Sequence, residues 1–195
     1  LGLKDEDELE ESFSYRTYGT LVHNCLEALY SPYVGKILKE SDAIDMIKNI
    51  DAVANKVVME ISPHDISGKN LLAFAAIKRN IKNMITSEKQ EIANGNTITL
   101  LALEQKLETS FTISGIKFPI KIKGTVDRVD SYNGKIRVLD YKTGTVGKLG
   151  ITDWSLLTTD PDLGQARQLL LYAMLWNDKH PKQKANQAGI ISLKE

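Results

Sequence analysis

The sequence predicts an α/β (α+β) fold in which a central mixed β-sheet is flanked by helices. Three observations carry that expectation. Apolar residues recur at helical spacing through the first half of the chain. After residue 96 the pattern changes to alternating, β-branched runs, two of them joined by Asn133-Gly134. A single apolar helix then separates these runs from a last strand-like segment, an order that belongs to sheet-plus-helix architectures.

Each element has a local reason. A helix over residues 18–30 follows from Leu21, Val22, Cys25, Leu26 and Leu29, which fall on one stripe. Ser41 offers an N-cap for the next helix, with Asp42 and Asp45 in its first turn, where carboxylates complement the helix dipole. Pro63 interrupts, and a third helix is predicted over residues 66–93, closed by Asn94-Gly95-Asn96. Residues 97–108 read as a strand. Ile116, Phe118, Ile120 and Ile122 alternate strictly, the signature of a half-buried strand. Asn133-Gly134 between two such runs is the strongest short signal for a hairpin. A glycine-rich loop follows over residues 143–160. Residues 162–178 read as a helix apolar almost all round, and therefore buried. Residues 188–193 close the chain's regular structure as a strand. All of this fits one domain, residues 1–195, with a mainly helical part over 1–96 and a sheet core over 97–195.

Composition narrows the class. A chain of 195 residues, 42% hydrophobic and 26% charged, is an ordinary globular domain with room for a sizeable core. Nothing reads as a membrane span or a signal peptide. Opening at Leu1, the chain reads as a piece of a longer protein. The single cysteine, Cys25, excludes an internal disulfide and a Cys-ligated metal cluster built from this chain alone, and points to a reducing, cytoplasmic setting. Twenty-five basic and 25 acidic residues give zero net charge, which argues against a free-standing DNA binder but not against an enzyme fed by neighbouring domains. The acidic run over residues 4–11 is expected to be solvated.

The chemistry begins with register. If Asn133-Gly134 is a two-residue loop, Tyr132 pairs with Lys135 and each further pair of residue numbers sums to the same value. Asp127 then lies opposite Asp140, at a non-hydrogen-bonded pair with Cα atoms ~4.5 Å apart. Two carboxylates so placed repel, unless a divalent cation such as magnesium or manganese lies between them. Lys142, two residues past Asp140, projects to the same face. Two acidic ligands and an ammonium can serve phosphodiester hydrolysis: the metal acidifies water and the lysine stabilises transition-state charge. The plainer reading is that Lys142 neutralises a surface carboxylate pair. Asp130 and Arg137 pair in the same register on the opposite face and read as a cross-strand salt bridge. Arg128 reads the same way, or as an exposed arginine beside the site that touches phosphate.

Three motifs extend this: Gly124-Thr125-Val126-Asp127-Arg128-Val129-Asp130, Asp140-Tyr141-Lys142-Thr143-Gly144, and Gln168-Leu169-Leu170-Leu171-Tyr172. Together they resemble the RecB-type branch of the PD-(D/E)XK nucleases, and Gly19-Thr20-Leu21-Val22-His23 resembles that branch's upstream histidine motif. The resemblance implies a restriction-endonuclease-like core with an N-terminal helical elaboration. It implies a metal-dependent DNA nuclease, an exonuclease more than an endonuclease, of repair and recombination. His23, Asp127 and Asp140 would hold Mg2+ or Mn2+, with the backbone carbonyl of Tyr141 a further ligand, and Lys142 would be the catalytic lysine. Gln168 and Tyr172 would support the site or position DNA. Single-stranded DNA or duplex ends would be the substrate, inside a larger helicase–nuclease. Relatives of the AddB type and some CRISPR-associated nucleases hold an iron–sulfur cluster through four cysteines; with Cys25 alone, no such cluster is expected here. Against this stand a catalytically idle nuclease fold serving as a DNA-binding scaffold, and a hydrolase of another phosphoester.

The remaining polar residues carry alternatives. His23 is either a ligand or a half-buried structural histidine, with Gly19 one turn earlier leaving space for another segment or ligand. Gln168 and Tyr172, one turn apart, can fasten helix to sheet and still serve the site; Gln165 can extend that polar face. Glu104 lies either near the metal, as an acidic residue of the family does, or towards solvent. His64 and His180 are assigned to the surface. Gly144-Thr145-Val146-Gly147-Lys148 fails the phosphate-loop spacing, since Lys142 stands where the first glycine belongs and Leu149 where Ser or Thr belongs, so ATP binding is rejected. Lys148 can still meet a DNA phosphate from that loop.

Overall fold

The computed structural model describes residues 13–62 and 68–194. The acidic run over residues 4–11, His64 and the expected start of the third helix at residue 66 lie outside the described residues.

Among the described residues, four α-helices and four strands follow one another as α1 (Tyr15–Tyr30), α2 (Glu40–Ile61), α3 (Gly68–Ala93), β1 (Ile98–Phe111), β2 (Ile120–Tyr132), β3 (Lys135–Lys142), α4 (Gly164–Lys179) and β4 (Gln187–Ser192). The strands form one mixed sheet in the order β1-β2-β3-β4. The first two pairings are antiparallel, and β4 runs parallel to β3 because α4 carries the chain back across the sheet. α1, α2 and α3 cover one face. Their apolar stripes, among them Leu21, Leu26, Met46, Val58, Ile77 and Ile81, merge with Ile98, Leu100 and Tyr141 of the sheet into one core. α4 covers the other face, where Leu175 and Trp176 meet Ala102, Leu107, Val126, Val129 and Val138.

Several local expectations are corrected. Ser41 does not cap α2. Residues 35–38 bond to the edge of β1, with Gly35 N–H to Leu100 carbonyl and Leu38 N–H to Ile98 carbonyl, both 2.8 Å, so the helix starts directly behind them. Asp42 then accepts the Lys39 backbone N–H at 2.9 Å, and Ser41 falls inside the first turn. Ile116 and Phe118 are not in a strand. The chain turns at Gly115 (φ +87°), and both side chains stand exposed in the loop between β1 and β2. α4 is not buried all round: Leu170 and Leu171 are exposed, because one face of the helix suffices to cover the sheet. His180 is half-buried and stacks on Trp176 with ring centroids 3.7 Å apart.

The Asn133-Gly134 turn behaves as its chemistry requires. Asn133 and Gly134 both take positive φ (50° and 81°), and the ladder runs from Tyr132↔Lys135 to Arg128↔Leu139 without a slip. Beyond that pair β2 stays with β1 while β3 stays with β4, so the sheet forks, with Asp127 on one prong and Asp140 on the other.

Candidate active site

The fork is where side-chain alternation breaks. Val126 and Val129 both pack towards α4, although alternation would send them to opposite faces, so the alternation of β2 breaks between them while its register with β1 is kept; the register shift in this pair lies between Leu100 and Ala102 of β1. In β1 the residue facing Asp127 is Glu104, between the pairs Leu103↔Arg128 and Gln105↔Val126. Glu104 has φ of +42°, left-handed backbone that costs a non-glycine residue ~1 kcal/mol or more. Strain held opposite an acidic residue is a common mark of a working site, and here it aims both carboxylates at α1.

α1 presents His23 to them, one turn above Gly19, where an added Cβ would stand 3.7 Å from the Thr143 hydroxyl, an ordinary contact. His23 Nδ1 stands 3.3 Å from Glu104 Oε1 and 3.6 Å from Asp127 Oδ1. One ligand atom from each of the three lies within 4.8 Å of the others. Neighbouring ligands around an octahedral magnesium ion are ~3 Å apart, so these three close on a hard cation with small adjustments. The other ring nitrogen, Nε2, lies 3.2 Å from the Tyr141 carbonyl. Thus the Tyr141 carbonyl, expected as a metal ligand, lies within hydrogen-bond distance of His23, the kind of backbone contact that orients a ligating imidazole.

Asp127 is 7% exposed and accepts the Tyr141 backbone N–H at 2.7 Å. In an unbroken ladder that N–H would bond to β2 backbone; the carboxylate takes it because the strands have parted. Burial pushes the Asp127 carboxyl up to about 6, the charges of Asp140 and Glu104 acting in the same direction, while His23 and the Tyr141 N–H oppose it. Burial alone would lower His23, but its hydrogen bond to Glu104 and the nearby charges of Asp127 and Glu104 outweigh it, and the pKa is raised. A buried carboxylate crowded by two others is a donor set short of positive charge, and that fits a divalent oxygen-seeking cation.

Asp140, 2% exposed, is drawn the other way: its Oδ2 lies 2.9 Å from Lys142 Nζ. Lys142 donates a hydrogen bond to Gln168 Oε1 at 3.0 Å, and Gln168 donates to the Tyr172 hydroxyl at 2.8 Å. Asp140, Lys142, Gln168 and Tyr172 therefore form one polar line from β3 to α4. The Tyr172 ring fits only because residue 124 is glycine; a Cβ there would stand 2.9 Å from the ring. Gln165 does not extend this line. It holds the following loop, accepting from Gly147 N–H at 2.8 Å and donating to the Thr145 carbonyl at 3.2 Å. Lys148 lies exposed in that loop.

Arg128 is not the exposed arginine expected beside the site. It is fully buried, with ion pairs to Glu88 of α3 at 2.6 Å and Asp130 at 2.8 Å, and lies over the Tyr30 ring. Asp130 also takes both Arg137 bonds, at 2.7 and 2.9 Å. No phosphate can reach Arg128; it ties β2 to α1 and α3 beneath the site. Sequence reasoning did not foresee Glu88 or Tyr30 in this role, since neither lies in a motif and only helix packing brings them to the sheet.

Compared with known proteins, the PD-(D/E)XK nuclease superfamily matches the chain over residues 1–195. The chain is also 26% identical over 212 aligned positions to an ATP-dependent helicase/deoxyribonuclease subunit from Clostridioides difficile (strain 630). That alignment covers 97% of this chain but 17% of the relative, so the chain spans about a sixth of that protein's length.

Proposed function

The chain belongs to the PD-(D/E)XK nuclease superfamily, and from that premise we propose that it is a metal-dependent deoxyribonuclease domain of the RecB-type branch, acting as an exonuclease in DNA repair or recombination. The observation that supports this most is the meeting of His23, Glu104 and the buried Asp127 at the sheet fork, with Asp140 and Lys142 on the facing prong. The relative's name, a helicase/deoxyribonuclease subunit, supports a place inside a longer helicase–nuclease that delivers single-stranded DNA or duplex ends.

In this reading Asp127, His23 and Glu104 hold Mg2+ or Mn2+, and Asp140 joins them across the fork. The Tyr141 carbonyl fixes the His23 tautomer, and stands near enough to the site to be tested as a ligand itself. When bound, such a cation would supply Lewis acidity for phosphodiester hydrolysis. Lys142 has three ammonium donors and, beside its ion pair with Asp140, donates one hydrogen bond, to Gln168, which leaves donors for the scissile phosphate or the attacking water. Gln168, itself held by Tyr172, aims that ammonium. Lys148 offers a phosphate contact from the loop.

A cleavage assay on single-stranded DNA, duplex DNA, RNA and bis(p-nitrophenyl) phosphate, with manganese or with chelator, tests the reading. DNA degraded from ends only when metal is present is the expected result. DNA binding with no cleavage of any substrate would sink it and favour the idle scaffold.

A further inference from the structure

Beyond the fork, β1 and β2 continue as a two-stranded arm. Pairing runs unbroken from Gln105↔Val126 to Phe111↔Ile120. One face of the arm packs towards α4 through Leu107, Ile122 and Val126. The other continues the face of Asp127, since Thr125, Lys123 and Lys121 follow it by alternation. Opposite them stand Lys106, Glu108 and Ser110. The rungs outward from the metal-facing carboxylates are therefore Lys106 with Thr125, Glu108 with Lys123, and Ser110 with Lys121. At ~3.4 Å per residue they extend about 20 Å from the site.

This face is solvent-exposed at Lys106, Glu108, Ser110, Lys121 and Lys123, and no described residue covers it. Its one carboxylate, Glu108, is held below the usual range by a hydrogen bond from Lys121, with Lys123 and Lys179 adding to the pull. Positive charge thus prevails here in a chain whose net charge is zero. An open hollow of about 510 Å³ is lined by Lys106, Glu108, Lys123 and Thr125 among others. In the loop past the last rung, Phe118 stands 68% exposed, and Ile113 and Ile116 of the same loop are exposed too. Exposed apolar side chains on a solvated loop call for a partner with a flat apolar surface.

We propose that the outer face of the β1–β2 arm is a binding track for single-stranded DNA, its lysines on successive phosphates and Phe118 stacked on a base, leading the strand to the metal-facing carboxylates. The inference rests on the nuclease reading for what happens at the inner end. A lysine row beside an aromatic tip is the combination that holds a single strand, because phosphates supply charge and unpaired bases supply a stacking face. A duplex keeps its bases stacked inside and offers Phe118 nothing.

The test is titration of labelled oligothymidylate onto the chain across a salt series, with chelator present so that nothing is cut. The triple substitution Lys106→Ala, Lys121→Ala, Lys123→Ala should weaken binding about tenfold or more at low salt and reduce the slope of log affinity against log salt by about 2. Phe118→Ala should weaken binding with the slope unchanged, since stacking releases no counterions. All these side chains are exposed, so unchanged melting temperatures should accompany both variants. A wild-type slope in the triple variant overturns the track, as does equal or tighter binding of blunt duplex that the same substitutions weaken equally. Wild-type hydrolysis of bis(p-nitrophenyl) phosphate with manganese tests the nuclease reading separately. Its absence, with the slope still reduced in the triple variant, would leave the track standing and remove the nuclease.

Discussion

At Asp127 stability and function pull in opposite directions. Its carboxyl is raised from 3.8 to about 6 on folding, chiefly by burial. A group raised in this way favours the folded state fully below its unfolded value, and that contribution is lost as pH rises through the folded value. Metal-free protein therefore carries a penalty at neutral pH, up to ~3 kcal/mol for a shift of this size. Asp127→Asn keeps an oxygen for the Tyr141 N–H and removes the charge. It should raise the melting temperature of metal-free protein near pH ~8, lose that advantage near pH ~4, and abolish the rise produced by manganese. Thermal melts over that pH range decide it; an Asn variant that melts lower at pH ~8 refutes the account. Lys142 should behave differently. Protonated, it cannot ligate a cation, so Lys142→Ala should slow single-turnover cleavage by ~100-fold or more with manganese affinity largely kept. Asp140→Ala should lose both. Wild-type cleavage by the Lys142→Ala protein would remove this hairpin from the chemistry.

At the scale of elements, the fork is held open by what lies beneath it. Arg128 joins β2 to Glu88 on α3 and lies over Tyr30 on α1, the helix that carries His23. Replacing it with Met would leave the buried Asp130 and the half-buried Glu88 without their guanidinium partner, although Asp130 retains Arg137 and Glu88 the Tyr30 hydroxyl. Losing one member of a buried pair costs about 3–5 kcal/mol. Urea unfolding of Arg128→Met should show a loss of that order, and a change under ~1 kcal/mol would show the network to be dispensable. The pair of Lys121 and Glu108 makes the contrast. Both side chains are exposed and screened by water, so Lys121→Ala should leave the urea midpoint nearly where it is.

The whole molecule is one sheet between unequal layers. The helical half and the sheet are not independent, because Ile98, Leu100, Tyr141 and Leu193 complete the core of α1, α2 and α3. Trp176 sits on the opposite side of the sheet, 3% exposed. If residues 1–195 form a single domain, Trp fluorescence from the α4 side and far-ultraviolet circular dichroism from the helices should lose their native signals at one denaturant midpoint. Two separated midpoints would show two folding units divided near residue 96.

What the sequence determined by itself is local. Helical stripes, the Asn133-Gly134 turn and strict alternation placed most helices and strands, because period and turn chemistry act over a few residues. The same turn predicted the register of β2 and β3 as far as Arg128↔Leu139; the direct pairing of Asp127 with Asp140 expected one step further is not in the ladder, which ends there. Tertiary structure decided the rest. The β1–β2 loop over residues 112–119 is too long to set a register by turn geometry, so the sequence could not say that Glu104 faces Asp127. Nor could it say that the strands part at Asp127, that the Tyr141 N–H goes to a carboxylate and its carbonyl towards His23, or that Arg128 is buried. Each depends on groups up to 118 residues apart, brought together only when three helices close on one face of the sheet.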